Sequence, residues 1–232
     1  MNYMKILFGI VAIVAICIGI ALLFHRYFIF GIITVGLGIY VVYAYKQESN
    51  DPFADIRIWW QKHYRAQHGI ELDLSQVSIP SKPNGDDWIL LCIAQDLTPN
   101  HEFNSWSFPK MRARRNLNAL AYKNARDTTE TYFIWVRNGP EPDVEFLGQS
   151  VSQADPDMKI GMTLLERLVF QSYAHHIGFV LDKKGSTLCS GSPLAGGYVP
   201  CVLELGDGRV GVLWRGYGEC DSSDGVRRAV YS

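Results

Sequence analysis

The sequence predicts an α+β fold class: an N-terminal two-helix transmembrane hairpin, then one soluble domain with a mainly antiparallel sheet and about three helices. Three observations carry this. Ile6 to Phe24 (ILFGIVAIVAICIGIALLF) and Tyr27 to Tyr45 (YFIFGIITVGLGIYVVYAY) are each nineteen residues without a charge, separated only by His25 and Arg26. Helix-period patterns with caps occupy the early and middle part of the remaining chain. Short β-branched and aromatic runs joined by tight turns crowd its C-terminal part.

The hairpin is placed at 1–46, with helices over about 5–24 and 28–45. At about 1.5 Å per residue each apolar run reaches roughly 28 Å, close to the hydrocarbon thickness of a bilayer. A cleaved signal peptide accounts for the first run, which Lys5 precedes, but leaves the second unexplained, and no small-residue cleavage site separates them. Gly9, Ala12, Ala15 and Gly19 share one face of the first helix, and Gly31, Thr34 and Gly38 one face of the second. Small residues on facing stripes let helices approach closely in lipid, so these are the expected helix-packing residues. Tyr27 and Phe28 at one end, with Tyr40, Tyr43 and Tyr45 at the other, suit interfacial belts. Lys5, the terminal amine and Lys46, with Arg57, Lys62 and Arg65 beyond, outweigh Arg26 in the turn. That bias puts both termini and the domain, 47–232, on the cytoplasmic side. With no charge inside either run, transport by the hairpin alone is not expected.

In the domain, Asp51 and Pro52 start a helix whose Phe53, Ile56, Trp60 and Tyr64 recur at helical spacing, and Gly69 ends it. Ile70 to Pro80 reads as extended or irregular and Pro80 to Asp87 as a loop. Trp88 to Gln95 (WILLCIAQ) has the apolar continuity of a central strand. Thr98-Pro99 starts a second, shorter helix that ends before Pro109. Met111 to Arg115 reads as a strand, with Arg112 and Arg114 on one face, and Asn116 to Lys123 as a helical turn. Thr131 to Arg137 (TYFIWVR) is a strand, which Asn138 to Asp143 stops. Thr163-Leu-Leu-Glu166 is a capping box opening a helix with a Leu164, Leu165, Leu168, Val169 and Ser172 core stripe, closed by Gly178. Strands are expected at Ser186–Ser190, Tyr198–Leu205, Val210–Arg215 and Val226–Tyr231, the middle two joined as a hairpin by Gly206-Asp207-Gly208.

All 23 acidic residues lie beyond residue 45, as do 20 of the 22 Lys and Arg (only Lys5 and Arg26 precede), so this part carries a net charge of −3. That balance disfavours nucleic acid as a general partner. Within it, Lys110, Arg112, Arg114, Arg115, Lys123 and Arg126 form a basic stretch, with no acid from Phe103 to Arg126. It is the expected anion- or partner-binding patch, able to meet anionic headgroups, an acidic partner or phosphate. A solvated face is the plain alternative. Trp106 and Phe108 read as core.

His175 and His176 are adjacent on a helix and so diverge by about 100°, a poor metal pair; the helix dipole accounts for them. Cys17 falls in the first apolar run. Cys92, Cys189, Cys201 and Cys220 are too scattered for a zinc knuckle; outside the cell they could form two disulfides, but reduced thiols fit a cytoplasmic domain. Ser190-Gly-Ser192-Pro-Leu-Ala-Gly-Gly197 is a Gly-rich loop without the G-K-[ST] ending of a phosphate loop. No metal, no cofactor and no catalytic residue are expected.

Thr163-Leu-Leu-Glu-Arg167, Thr187-Leu-Cys-Ser-Gly-Ser192, Val199-Pro200 and Arg228-Ala-Val-Tyr-Ser232 together resemble a series of uncharacterised bacterial membrane-anchored proteins, over roughly residues 55–232. The resemblance implies a bacterial source and carries no activity or site residue.

The expected function is therefore that of a membrane-anchored binding or assembly module, such as a subunit of a larger bacterial envelope or secretion complex. The expected location is the inner membrane, and the expected partners are the bilayer and a protein partner or second copy held through the hairpin. Two alternatives stay open. One is a membrane-associated enzyme with a thiol, Cys189, near the Gly-rich loop. The other is an anionic-lipid or nucleic-acid contact through 110–126.

Overall fold

Where the hydrogen bonds of each segment go decides the architecture. The structure is a computed structural model, and it describes residues 51–85, 87–111, 116–119 and 123–231, with Val11, Ile13, Val14, 16–18 and Ile39 before them. The chain divides into two units, Met1–Trp59 and Trp60–Ser232. In the first, the seven early described residues are helical. Asp51 then turns the chain into α1 (Ala54–His68): its carboxylate accepts from Phe53 N at 2.9 Å and pairs with Arg57 at 2.9 Å.

The expected transmembrane hairpin, and with it the multi-pass inner-membrane location, is corrected. Among the described residues no helix is long and apolar enough to cross a membrane. The longest, α1, has fifteen residues and carries Asp55, Arg57, Lys62 and Arg65. At about 1.5 Å per residue it falls well short of a bilayer's hydrocarbon thickness. The packing residues Gly9, Ala12, Ala15, Gly19, Gly31, Thr34 and Gly38 lie outside the described residues, as does most of both apolar runs.

The second unit is α+β, but its strands form two sheets, not one. Gly69, with φ of 68°, ends α1, and Ile70 N reaches back to Tyr64 O at 3.2 Å. β1 (Trp88–Ile93) pairs antiparallel with β2 (Tyr132–Arg137) along its whole length. Between them lies α2 (Pro99–Ser105), capped by Thr98, whose hydroxyl accepts from His101 N. A 3-10 turn at Leu117–Ala119 stands where a helical turn is expected. A short helix, α3 (Val151–Ala154), precedes α4 (Leu164–His176). Both bonds of the Thr163–Glu166 capping box form, at 3.2 and 2.7 Å.

The second sheet runs in the order β5 (Arg209–Gly216), β4 (Tyr198–Leu205), β3 (Thr187–Leu188), β6 (Gly225–Val226). Its β4–β5 hairpin turns at Gly208, with φ of 82°, while β3 and β6 are parallel. The single strand expected over Val226–Tyr231 is split: β6 joins this sheet, and β7 (Ala229–Val230) crosses to pair with β2. The break falls at Arg227, whose side chain turns inward onto Asp182 at 2.7 Å. α4 packs against α2, β1 and β4, so it touches both sheets. That is why it is buried nearly all round, Glu166, Arg167, Gln171 and Ser172 included, and each of these polar side chains has a partner.

Candidate functional site

The N-terminus of α4 is built by two close approaches and the hydrogen bonds around them. A Cβ on Gly161 would lie 1.8 Å from Ser190 Oγ, and one on Gly191 would lie 2.7 Å from Gly161 O, so the Gly-rich loop seats directly on the residues entering the helix. Asp155, fully enclosed, fixes that entry by accepting from Lys159 N at 2.9 Å, Gly161 N at 2.9 Å and Ser190 Oγ at 2.6 Å. Ser192 Oγ then accepts from Leu164 N at 2.8 Å and donates to Asn124 Oδ1 at 2.7 Å. Ala125 N donates to Gly191 O at 2.7 Å. The two features singled out in the sequence, the basic stretch and the Gly-rich loop, therefore cross here.

Glu166 is the electrostatic centre. Its carboxylate accepts from Arg126 Nε at 2.6 Å and Nη2 at 2.7 Å, from Tyr132 Oη at 3.0 Å and from Thr163 N at 2.7 Å. Arg126 also donates to the carbonyls of Lys159 and Gly161. Burial lowers its pKa, but the Glu166 charge more than offsets this and holds the guanidinium above its ordinary value. Burial, reinforced by the Glu166 charge, pushes the Tyr132 phenol far up, so it stays a neutral donor.

Beside this frame opens a cavity of about 210 Å³, floored by Leu97, Leu117, Leu164 and Leu165 and rimmed by Thr98, Asn118, Asn124, Thr128 and Ser192. Asn124 presents Oδ1 to Ser192, which turns its Nδ2 donor the other way. Of the first helical amides, Leu164 and Glu166 are taken by Ser192 and Thr163, leaving Leu165 N–H without a partner among the described residues. A second, wider depression of about 540 Å³ meets the first at Asp127 and Tyr132. It is lined by Asp73, Glu130, Gln76, Gln95 and Tyr231, with no basic side chain among the described residues. Hydrogen bonds from Thr129 hold Asp127, and from Ser75 hold Asp73, below the usual carboxylate range, so both are anionic at neutral pH.

Of the expected anion- or partner-binding residues, Arg126 is bound internally as described. Lys110 Nζ donates to Asn104 O at 3.1 Å and Trp106 O at 2.8 Å. Lys123 is exposed, and Arg112, Arg114 and Arg115 lie outside the described residues. Cys189 is wholly buried, and burial pushes its thiol far up. Burial also pushes Cys201 up to about 11. Among the described residues no group of His, Cys, Asp and Glu is arranged to hold a metal. Asn124 and Asp127 carry no motif, so sequence reasoning passed over them, and it read Tyr132 and Leu165 only as strand and core residues; Arg126 in the basic stretch, Thr163 in the capping box and Ser192 in the Gly-rich loop were the visible pointers. Compared with known proteins, the chain matches no family model, no curated protein and no solved structure.

Proposed function

We propose that the second unit is a protein-binding module. It takes an extended segment of a partner chain across Asp127 and Tyr132, seating an apolar side chain on Leu117 and Leu165 and a basic one over Asp73 and Glu130. The observation that carries this reading is the junction of two unlike depressions. One has leucines beside amides and hydroxyls, and the other is acidic, with no basic side chain among its described lining residues. Apolar anchors supply affinity, whereas complementary charge supplies register and speed of encounter. The donors Asn124 Nδ2 and Leu165 N–H suit the carbonyls of an extended backbone. Two facts count against a thiol enzyme: Cys189 has no exposed surface, and a raised thiol pKa suppresses the nucleophilic thiolate.

Calorimetric titration of the full chain with short peptides that pair an apolar residue with a Lys or Arg tests the proposal. Binding is expected to weaken with salt and by roughly tenfold in each of Asp127→Lys and Glu130→Lys. Equal binding of an apolar–acidic peptide, or unchanged affinity in both variants, would sink it.

A further inference from the structure

Five histidines from three helices, His63 and His68 of α1, His101 of α2 and His175 and His176 of α4, form a chain of neighbours beside the buried carboxylate of Glu102. His68 Nε2 lies 3.0 Å from Glu102 Oε2, and neither side chain has any exposure. The approach is off the N–H direction, so it is a close polar contact rather than a directed hydrogen bond, and among the described residues His68 Nδ1 also has no hydrogen-bond partner. Glu102 Oε1 accepts from Ser172 Oγ of α4 and from Trp106 Nε1 at 3.1 Å. The His101 ring stands edge-on to His68 at 5.0 Å, and the His63 ring is 6.4 Å from His68. His63, His175 and His176 line a cavity of about 150 Å³ together with Ser172.

The same stretch of α1 closes the outer edge of β1. Trp60 Nε1 donates to Leu90 O at 3.2 Å, and Tyr64 Oη donates to Cys92 O at 2.6 Å. These carbonyls belong to strand residues on the side turned away from β2, the side through which a sheet edge would otherwise pair with another chain.

We infer that the histidines gathered around Glu102 form an acid-sensitive latch that holds Trp60–His68 on the edge of β1. The inference is independent of the peptide groove. Among the described residues, the titratable groups facing the cluster are His63, His68 and Tyr64 from α1, His101 and Glu102 from α2, Lys110 beyond α2, Tyr173, His175 and His176 from α4, and Cys92 from β1. Glu102 is the one carboxylate among them. Burial pushes it up, but the His68 contact and the Ser172 and Trp106 bonds outweigh that and keep it anionic. Burial holds His63 down, at about 4, and the nearby Glu102 charge only partly offsets this. His63 is therefore neutral while latched, whereas a released His63 takes up a proton near its ordinary 6.5. The latch is accordingly at full strength above about pH 6.5 and is lost progressively as pH falls toward 4. Release breaks the Trp60 and Tyr64 hydrogen bonds to Leu90 O and Cys92 O on that edge.

Hydrogen exchange on the full chain, corrected for the intrinsic pH dependence, reads the latch directly. Peptides over 60–68 should lose roughly tenfold in protection between neutral and mildly acidic pH while peptides over 165–172 keep theirs. In His63→Gln the loss should move down by about half a pH unit or more, because the protonating group is gone. Simultaneous loss in both regions, or the same midpoint in His63→Gln, would overturn the inference. Should that variant fold poorly, imidazole NMR of the unmodified chain decides instead: titration of His63 far below 6 supports the latch, and titration near its ordinary value rejects it.

Discussion

Asp182 shows how much one residue can organise. With φ of 54° and no exposure, it accepts from Arg167 Nη2 at 2.8 Å, Arg227 Nη2 at 2.7 Å and Thr187 Oγ1 at 2.5 Å. Burial raises its pKa, but the two guanidiniums outweigh that and hold it below the usual range. Burial likewise lowers Arg167, which Asp182 partly restores. The second positive charge is accommodated by the carbonyls of Gly139 and Pro140, both 2.9 Å from Arg227, and by the face of Phe170 at 5.4 Å. Asp182→Asn would strand two guanidiniums in the interior, and we expect it to cost about 3–5 kcal/mol in a urea unfolding experiment. A loss below about 1 kcal/mol would mean that the carbonyls alone suffice. None of this was legible in the sequence. Arg167 and Arg227 read there as a helix residue and a strand residue, and their partner arrives from a separate turn.

At the scale of elements, local chemistry was easier to read. Thr163 and Glu166 sit three apart because a helix start leaves orphan amides that these side chains reach, whatever surrounds them. Gly206-Asp207-Gly208 works likewise, giving eight paired positions from Tyr198↔Gly216 to Leu205↔Arg209. Thr163→Ala is expected to cost about 1 kcal/mol, seen as a lower denaturation midpoint at unchanged slope. Ser192→Ala should cost at least as much although it lies outside the helix, since it strands Leu164 N–H and Asn124 Oδ1 together. If Ser192→Ala is neutral, the Gly-rich loop does not support the helix as described. The expected strand over Val226–Tyr231 failed for an element-level reason. Alternation gives strand character, but it does not reveal that Arg227 must turn inward and send the two halves to different sheets.

Across the whole molecule, stability at high pH follows from where the thiols lie. Burial raises Cys201 from 9.0 to about 11, so the unfolded chain ionises first as pH climbs. Its contribution is present in full below about pH 9 and is lost as pH rises through about 11. Thermal melts should therefore show an alkaline decline that Cys201→Ala reduces; an unchanged decline would assign it to other groups. The sequence by itself determined the α+β character of the second unit, the caps of α2 and α4 and the β4–β5 hairpin, because these depend on residues within a few positions of one another. It also offered an apolar hairpin, a reading set aside because, among the described residues, no helix is long and apolar enough to cross a membrane. Only the tertiary structure decided the division into two sheets, the Asp182 cluster, the groove beside α4 and the histidines around Glu102. Each joins side chains from segments remote in sequence, and neither burial nor pairing of a polar group is encoded by its immediate neighbours.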